Sequence, residues 1–96
     1  ALVVANLNAA LGVLAEIHER GLRVPHDVSI VAMHDVWYAD ATWPPITTVR
    51  MPLRELGAAA VSRLLDGEEA VTHVVVAEPA TELRARASVA SVTDLR

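Results

Sequence analysis

Val28-Ser-Ile-Val-Ala-Met-His34-Asp35 constrains this chain more than any other stretch: an apolar run that stops abruptly at two polar residues. It shows no two-residue polar alternation, so it predicts a strand over 28–33 covered on both faces, as in a parallel sheet with helices above and below. A sheet of that kind puts its chemistry just beyond the carboxyl ends of its strands. His34 and Asp35 occupy that position.

The residues before this strand supply the unit that leads into it. Ala1–Ala5 is a short Val-rich strand candidate ending at Asn6. Leu11, Leu14 and Ile17, with Ala10 and Val13 beside them, recur at three- and four-residue steps, which predicts a helix from Asn8 to Arg20. Asn6 or Asn8 can cap its first turn, Gly21 can close it in the left-handed conformation with Leu22 packing back on Ile17, and Pro25 blocks continuation. Strand, helix and strand then form a right-handed crossover with parallel strands. Asn6 and His34 thereby fall on one edge of the sheet, where one ligand can touch both.

Downstream, residues 36–46 carry both tryptophans and the only tyrosine, and Pro44-Pro45 prevents a helix across the second half. Trp37, Tyr38 and Trp43 have three readings: cover for the sheet edge, a protein–protein contact, or stacking on a ligand. Thr47–Arg50 is β-branched and short, a brief strand or an extended crossing. Pro52 suits the first position of a helix whose Leu53, Leu56, Ala60, Val61, Leu64 and Leu65 share one face, and Gly67 ends it. Val71–Ala77 predicts another strand, and 82–88 alternates polar and apolar residues like an edge strand with one wet face. The last eight residues are expected to fray.

Composition excludes several functions. With 12 acidic residues against 8 basic ones, all arginine and none clustered, direct binding to a phosphate backbone by this stretch is disfavoured. Cysteine is absent, which removes disulfides and thiolate metal sites. No apolar run reaches the length of a membrane span and no charged leader precedes Ala1, so a cytoplasmic setting is the default expectation. At 53% hydrophobic residues and a mean hydropathy of +0.36, the chain holds more apolar material than so short a domain hides easily. The expectation is a fragment, with its true start upstream of Ala1, or a chain with a partner. His18, His26, His34 and His73 are not spaced as metal ligands, and no phosphate loop or nucleophile motif is present. No metal, cofactor or catalytic residue is therefore expected. His34 with Asp35 is read as a polar ligand contact, with an acid–base pair or a hydrogen-bonded loop as the alternatives. Asn6 is read as a ligand contact, a helix cap, or both.

Taken in order, Val3-Val-Ala-Asn6, Ala10-Leu-Gly12, Arg20-Gly-Leu-Arg-Val-Pro25, Asp27-Val-Ser-Ile-Val31, Asp35, Pro44-Pro-Ile-Thr-Thr-Val-Arg50, Pro52-Leu-Arg-Glu-Leu-Gly57 and Arg86-Ala-Ser88 closely resemble the C-terminal third of the LacI/GalR family of bacterial transcription repressors. The resemblance spans nearly the whole chain. It implies an α/β fold of the periplasmic-binding-protein-like type I, present as a C-terminal fragment, with two parallel-sheet lobes around a cleft. On that template 1–48 belongs to the C-terminal lobe, 48–52 is a hinge crossing through Thr48, Val49 and Arg50, 53–77 belongs to the N-terminal lobe, 79–88 returns to the first lobe, and 89–96 is a tail. It also implies a small-molecule effector such as a sugar, a homodimer, and operator DNA bound through a helix-turn-helix outside this chain, with no membrane. Relatives carry Asn-Asp after the first strand and Gly-Phe/Tyr-Asp-Asp after the second; here Asn6 and Asp35 keep their places, while Leu7, Ala32, Met33 and His34 depart. Asn6, His34 and Asp35 are thus the implied ligand contacts, and Leu11, Trp37, Tyr38 and Trp43 the implied dimer contacts. Three rivals to the regulator are a transport sugar-binding protein of the same fold, a small enzyme using His34 and Asp35, and a stand-alone dimerisation module.

Overall fold

The computed structural model describes residues 1–67 and 73–92. Two compact units emerge, Ala1–Arg50 with Glu82–Arg96, and Met51–Thr81.

The first unit is built on the crossover the sequence predicts. Strand β1 (Leu2–Val4) leads into helix α1 (Leu7–Glu19), and β2 (Ile30–Met33) lies parallel to β1 with Leu2 opposite Ile30, Val3 opposite Val31 and Val4 opposite Ala32. Asn6 is the N-cap: its Oδ1 accepts the Ala9 N–H at 2.8 Å, satisfying a donor that the first helical turn leaves without a partner. At the other end Gly21 takes φ +71°, the Gly21 N–H reaches the His18 carbonyl, and the Leu22 N–H reaches the Ile17 carbonyl, both at 3.0 Å. That is the paired closure a left-handed glycine makes possible.

Leu7, Ala10, Leu14 and Ile17 form the buried stripe of α1, at helical steps of three and four. They join Val4, Ile30, Ala32, Ala39 and Ile46 in one core. Leu11, one residue round the helix from that stripe, is exposed. The two faces of β2 are unequally covered: Ile30 and Ala32 are fully buried, whereas Val31 and Met33 are half-buried. Val28 and Ser29, expected in this strand, precede it, although the Ser29 carbonyl still accepts the Leu2 N–H at 2.8 Å.

A single 3-10 turn, Trp37–Asp40, then leads to β3 (Thr47–Arg50), parallel to β2, and β4 (Glu82–Arg84) adds antiparallel to β3. The order is β1-β2-β3-β4. Thr47–Arg50 is accordingly a strand, paired on both edges. Beyond β4 the chain stays anchored: the Ile30 N–H donates to the Ser88 carbonyl at 2.9 Å and the Ala90 N–H to Ser29 Oγ at 3.2 Å. Residues 89 and 90, expected to fray, are therefore tied down, and 93–96 lie outside the described residues.

The second unit holds α2 (Leu53–Asp66), which stops at Gly67 with φ +65° as expected, while Pro52, expected as its first residue, stands one position earlier as the N-cap. Its apolar stripe forms but none of its residues is buried. The strand expected over 71–77 does not appear at 73–77, which run without regular structure, while 71 and 72 lie outside the described residues. Valine favours a strand only where a neighbouring strand offers hydrogen bonds, and none pairs with this segment among the described residues.

Candidate functional site

The parallel register determines which residues meet at the carboxyl edge of the first unit's sheet. Val4 pairs with Ala32 and Ala32 with Thr48. Two residues further along the chain from each of these stand Asn6, His34 and Arg50, so all three fall at the carboxyl edge. The crossover prediction for Asn6 and His34 is thus met by the topology, and Arg50 joins them. His34 adopts φ +73°, the only non-glycine residue with positive φ among those described, and its N–H donates to the Val49 carbonyl at 2.8 Å. A half-buried residue held in this sparsely populated region marks a position whose geometry the surroundings impose.

Asp35, one residue on, turns to an internal network. Its Oδ1 accepts from Thr48 Oγ1 at 2.8 Å and from Arg86 Nη2 at 3.0 Å. Arg86 is the hub. Its Nε donates to Asp40 Oδ1 at 2.7 Å, its Nη1 donates to the Ile46 carbonyl and to Thr48 Oγ1 at 2.9 Å each, and its own N–H donates to Thr47 Oγ1 at 2.9 Å. The Arg86 and Asp35 side chains are only 14% and 20% exposed. Partial burial pushes the Asp35 carboxyl upward, but the hydrogen bonds from Thr48 and Arg86 and the Arg86 charge outweigh it and hold the group below its ordinary value. Arg86 is correspondingly raised: desolvation opposes its charge, and Asp40 and Asp35 more than compensate.

A carboxylate so engaged is a weak base, and no hydrogen bond joins it to His34 among the described residues. Asp35 supports the edge from behind while Asn6 and His34 stand on it. Arg86 is the member that sequence reasoning gave no role, and Thr48 and Arg50 were expected as hinge residues rather than here. The alternation over 82–88 suggested a wet face there, and the one available signal was Arg86-Ala-Ser88 itself. Ser88 is as tightly integrated: its buried hydroxyl donates to the Ile30 carbonyl at 2.6 Å and accepts the Thr47 N–H at 2.8 Å.

The residues implied as dimer contacts divide into two places. Leu11, Trp37 and Tyr38 come together with Asn8, Ala41 and Thr42 around a shallow cleft of about 380 Å³. Tyr38 donates its hydroxyl to Asn8 Oδ1 and stands edge-on to Trp37 with ring centroids 5.5 Å apart. Trp43 lines a neighbouring cleft of about 410 Å³ with His18, Arg23 and His26. Trp37 and Trp43 are 84% and 82% exposed, so they do not cover the sheet edge as the first reading had it. Thr48, Val49 and Arg50, implied as the hinge, are the last three residues of β3, and Arg50 pairs with Glu82 at 3.1 Å. Among the described residues no three His, Asp or Glu side chains gather as metal ligands, and no helix is long and apolar enough to cross a membrane.

Comparison with known proteins places this architecture. A family model described as a periplasmic binding protein-like domain matches residues 1–89. The chain is similar to the lactose operon repressor of Rhizobium radiobacter, 38% identical over 91 residues that cover 92% of this chain and 78% of that sequence. Among solved structures it is similar to a LacI family transcriptional regulator from Mycobacterium smegmatis, with TM-score 0.80 and 44% identity over 92% of this chain and 32% of that one. It is also similar to the lac repressor dimer bound to operator and the anti-inducer ONPF, with TM-score 0.75 and 33% identity over 93% of this chain and 31% of that one. The chain thus spans about a third of the length of these solved regulators.

Proposed function

This chain belongs to the LacI/GalR family of transcription regulators, within their periplasmic-binding-protein-like domain, and from that premise we propose that it is part of the effector sensor of a DNA-binding repressor. In this reading a small polar molecule, a sugar or related metabolite, sits at the carboxyl edge where Asn6 and His34 meet, with Asp35 orienting the loop behind them. The observation that carries it is the register: Asn6 and His34 each lie two residues beyond the paired Val4 and Ala32. Ligand at that edge acts on operator affinity through closure of two lobes, which requires that it prefer one lobe arrangement over the other.

The lobes are assigned as 1–48 and 79–88 for one and 53–77 for the other, with Thr48, Val49 and Arg50 leading into the hinge at 48–52. The division of the chain into compact units at Arg50/Met51 and Thr81/Glu82 supports that assignment. Leu11, Trp37, Tyr38 and Trp43 provide the contact between two copies, and the exposure of two large rings beside an exposed helix face supports it. Operator binding belongs to a helix-turn-helix outside this chain, and such a regulator works in the cytoplasm without turnover of its ligand.

The test is fluorescence anisotropy of the complete protein on its own promoter DNA, titrated with a panel of sugars, sugar acids and nucleosides. At least one compound is expected to shift DNA affinity about tenfold or more, the usual size of an allosteric coupling. Saturable ligand binding without any DNA binding would replace this reading with the transport protein, and turnover of the compound with the enzyme.

A further inference from the structure

The connection between β2 and β3, residues 35–46, carries both tryptophans and Tyr38, and one side chain from outside it holds it at three points. Arg86 donates from Nη2 to Asp35 Oδ1 at its start (3.0 Å), from Nε to Asp40 Oδ1 within it (2.7 Å), and from Nη1 to the Ile46 carbonyl at its end (2.9 Å). Nη1 also donates to Thr48 Oγ1, and the Thr48 hydroxyl donates in turn to Asp35. Asp35 adjoins His34 on the carboxyl edge. Asp40 closes the 3-10 turn that begins at Trp37. That turn has no side-chain cap at Val36; its other ties are the buried Ala39, whose carbonyl accepts the Ile46 N–H at 3.0 Å, and the Tyr38 hydroxyl on Asn8.

We propose that Arg86 is a positioning residue that links the effector edge to the contact between two copies, because it fixes Asp35 behind the edge and, with the same guanidinium, the turn that presents Trp37 and Tyr38. The link rests on the effector and two-copy readings above. Its physical basis is the rigidity of the group. A guanidinium presents its donors in one planar fork, so a displacement of Asp35 that carries the fork with it also carries the bond to Asp40; an ammonium in its place is a single point charge and holds no such geometry. A ligand that shifts the residues at the edge is thereby felt at the Trp37 and Tyr38 face, and pairing of two copies bears on the edge by the same amount, since coupling between binding sites is reciprocal.

Sedimentation equilibrium of the complete protein, without any ligand, tests the link through variants at the two ends of the clasp. Asp40→Ala removes its exposed end, and Thr48→Val removes the buried hydroxyl between Asp35 and Arg86. Each is expected to raise the dimer dissociation constant about threefold to fivefold, the scale of one such contact. Both act on one guanidinium, so the double variant is expected to stay within about twofold of the more affected single instead of multiplying the two effects. Asp40→Asn keeps an acceptor for Arg86 Nε and is expected to remain within about twofold of wild type. Circular dichroism checks that each variant is folded, and Arg86→Lys, which keeps the charge and loses the fork, replaces Thr48→Val should that variant not fold. Multiplied effects in the double variant, or a constant unchanged in either single while Trp37→Ser raises it, overturns the link and leaves the two-copy reading in place. A wild type that stays monomeric overturns the two-copy reading and the link together, and the DNA titration above judges the effector reading by itself.

Discussion

Replacing Arg86 with alanine is the sharpest test of what holds the loop behind the edge. The guanidinium bridges Asp35, Thr48, the Ile46 carbonyl and Asp40. The Asp40 contact contributes little, because that carboxylate is 77% exposed and exposed pairs are worth about 0–1 kcal/mol. The bonds to Thr48 and Ile46 are part-buried and each contribute about 1 kcal/mol. Removing Arg86 also leaves Asp35, 20% exposed, without its cation, at a further cost of about 1–2 kcal/mol. The expected loss is therefore about 3 kcal/mol, against less than about 0.5 kcal/mol for Asp40→Ala. Urea denaturation followed by far-ultraviolet circular dichroism is the suitable assay, since both tryptophans are already exposed in the folded state and report little on unfolding. Equal losses in the two variants, or a loss below about 1 kcal/mol for Arg86→Ala, would refute the hub role.

Acid sensitivity follows from the same pair. Asp35 titrates below its ordinary value of 3.8 in the folded state, so its stabilisation is complete above that value and disappears as pH falls through the lower folded one; urea midpoints from pH 6 to 2 should show this loss in the wild type and a reduced one in Arg86→Ala. Ser88→Ala strips the buried Thr47 N–H of its acceptor and the Ile30 carbonyl of a donor, and is expected to cost about 1–3 kcal/mol; a change within about 0.5 kcal/mol would mean the backbone finds other partners. Asn6→Ala removes the cap of α1 and should cost about 1 kcal/mol in the same denaturation series, whatever happens to ligand affinity. Trp37→Ser should leave the urea midpoint nearly unchanged, because the ring is exposed, yet raise the dimer dissociation constant about tenfold or more in sedimentation equilibrium; an unaltered dissociation constant would remove Trp37 from the interface.

Local chemistry made much of this legible without coordinates. Asn6 as a cap, Gly21 as a left-handed terminator, Gly67 as the end of α2, the stripe of α1 at Ala10, Leu14 and Ile17 (with Leu7 buried where Leu11 was expected) and the strand after it all depend on neighbours within a few positions, which periodicity and capping rules reach. The meeting of Asn6 and His34 was also within reach, because a right-handed crossover leaves few alternatives for where parallel strands end. What the sequence left undecided lies at long range or depends on partners. The valines at 74–76 have the composition of a strand and form none, since strand structure requires a paired edge. Arg86 and Ser88, two residues apart, both look like the wet face of an edge strand, whereas the fold turns the arginine inward to a carboxylate 51 positions away and the serine to a carbonyl 58 away. No spacing rule reaches across such separations; only the packed sheet brings those groups into hydrogen-bond distance. The place of Asn6 and His34 at the edge was thus written in the chain, while the commitment of Asp35 to Thr48 and Arg86 behind them was decided by tertiary structure, which alone brings residues so far apart in sequence together.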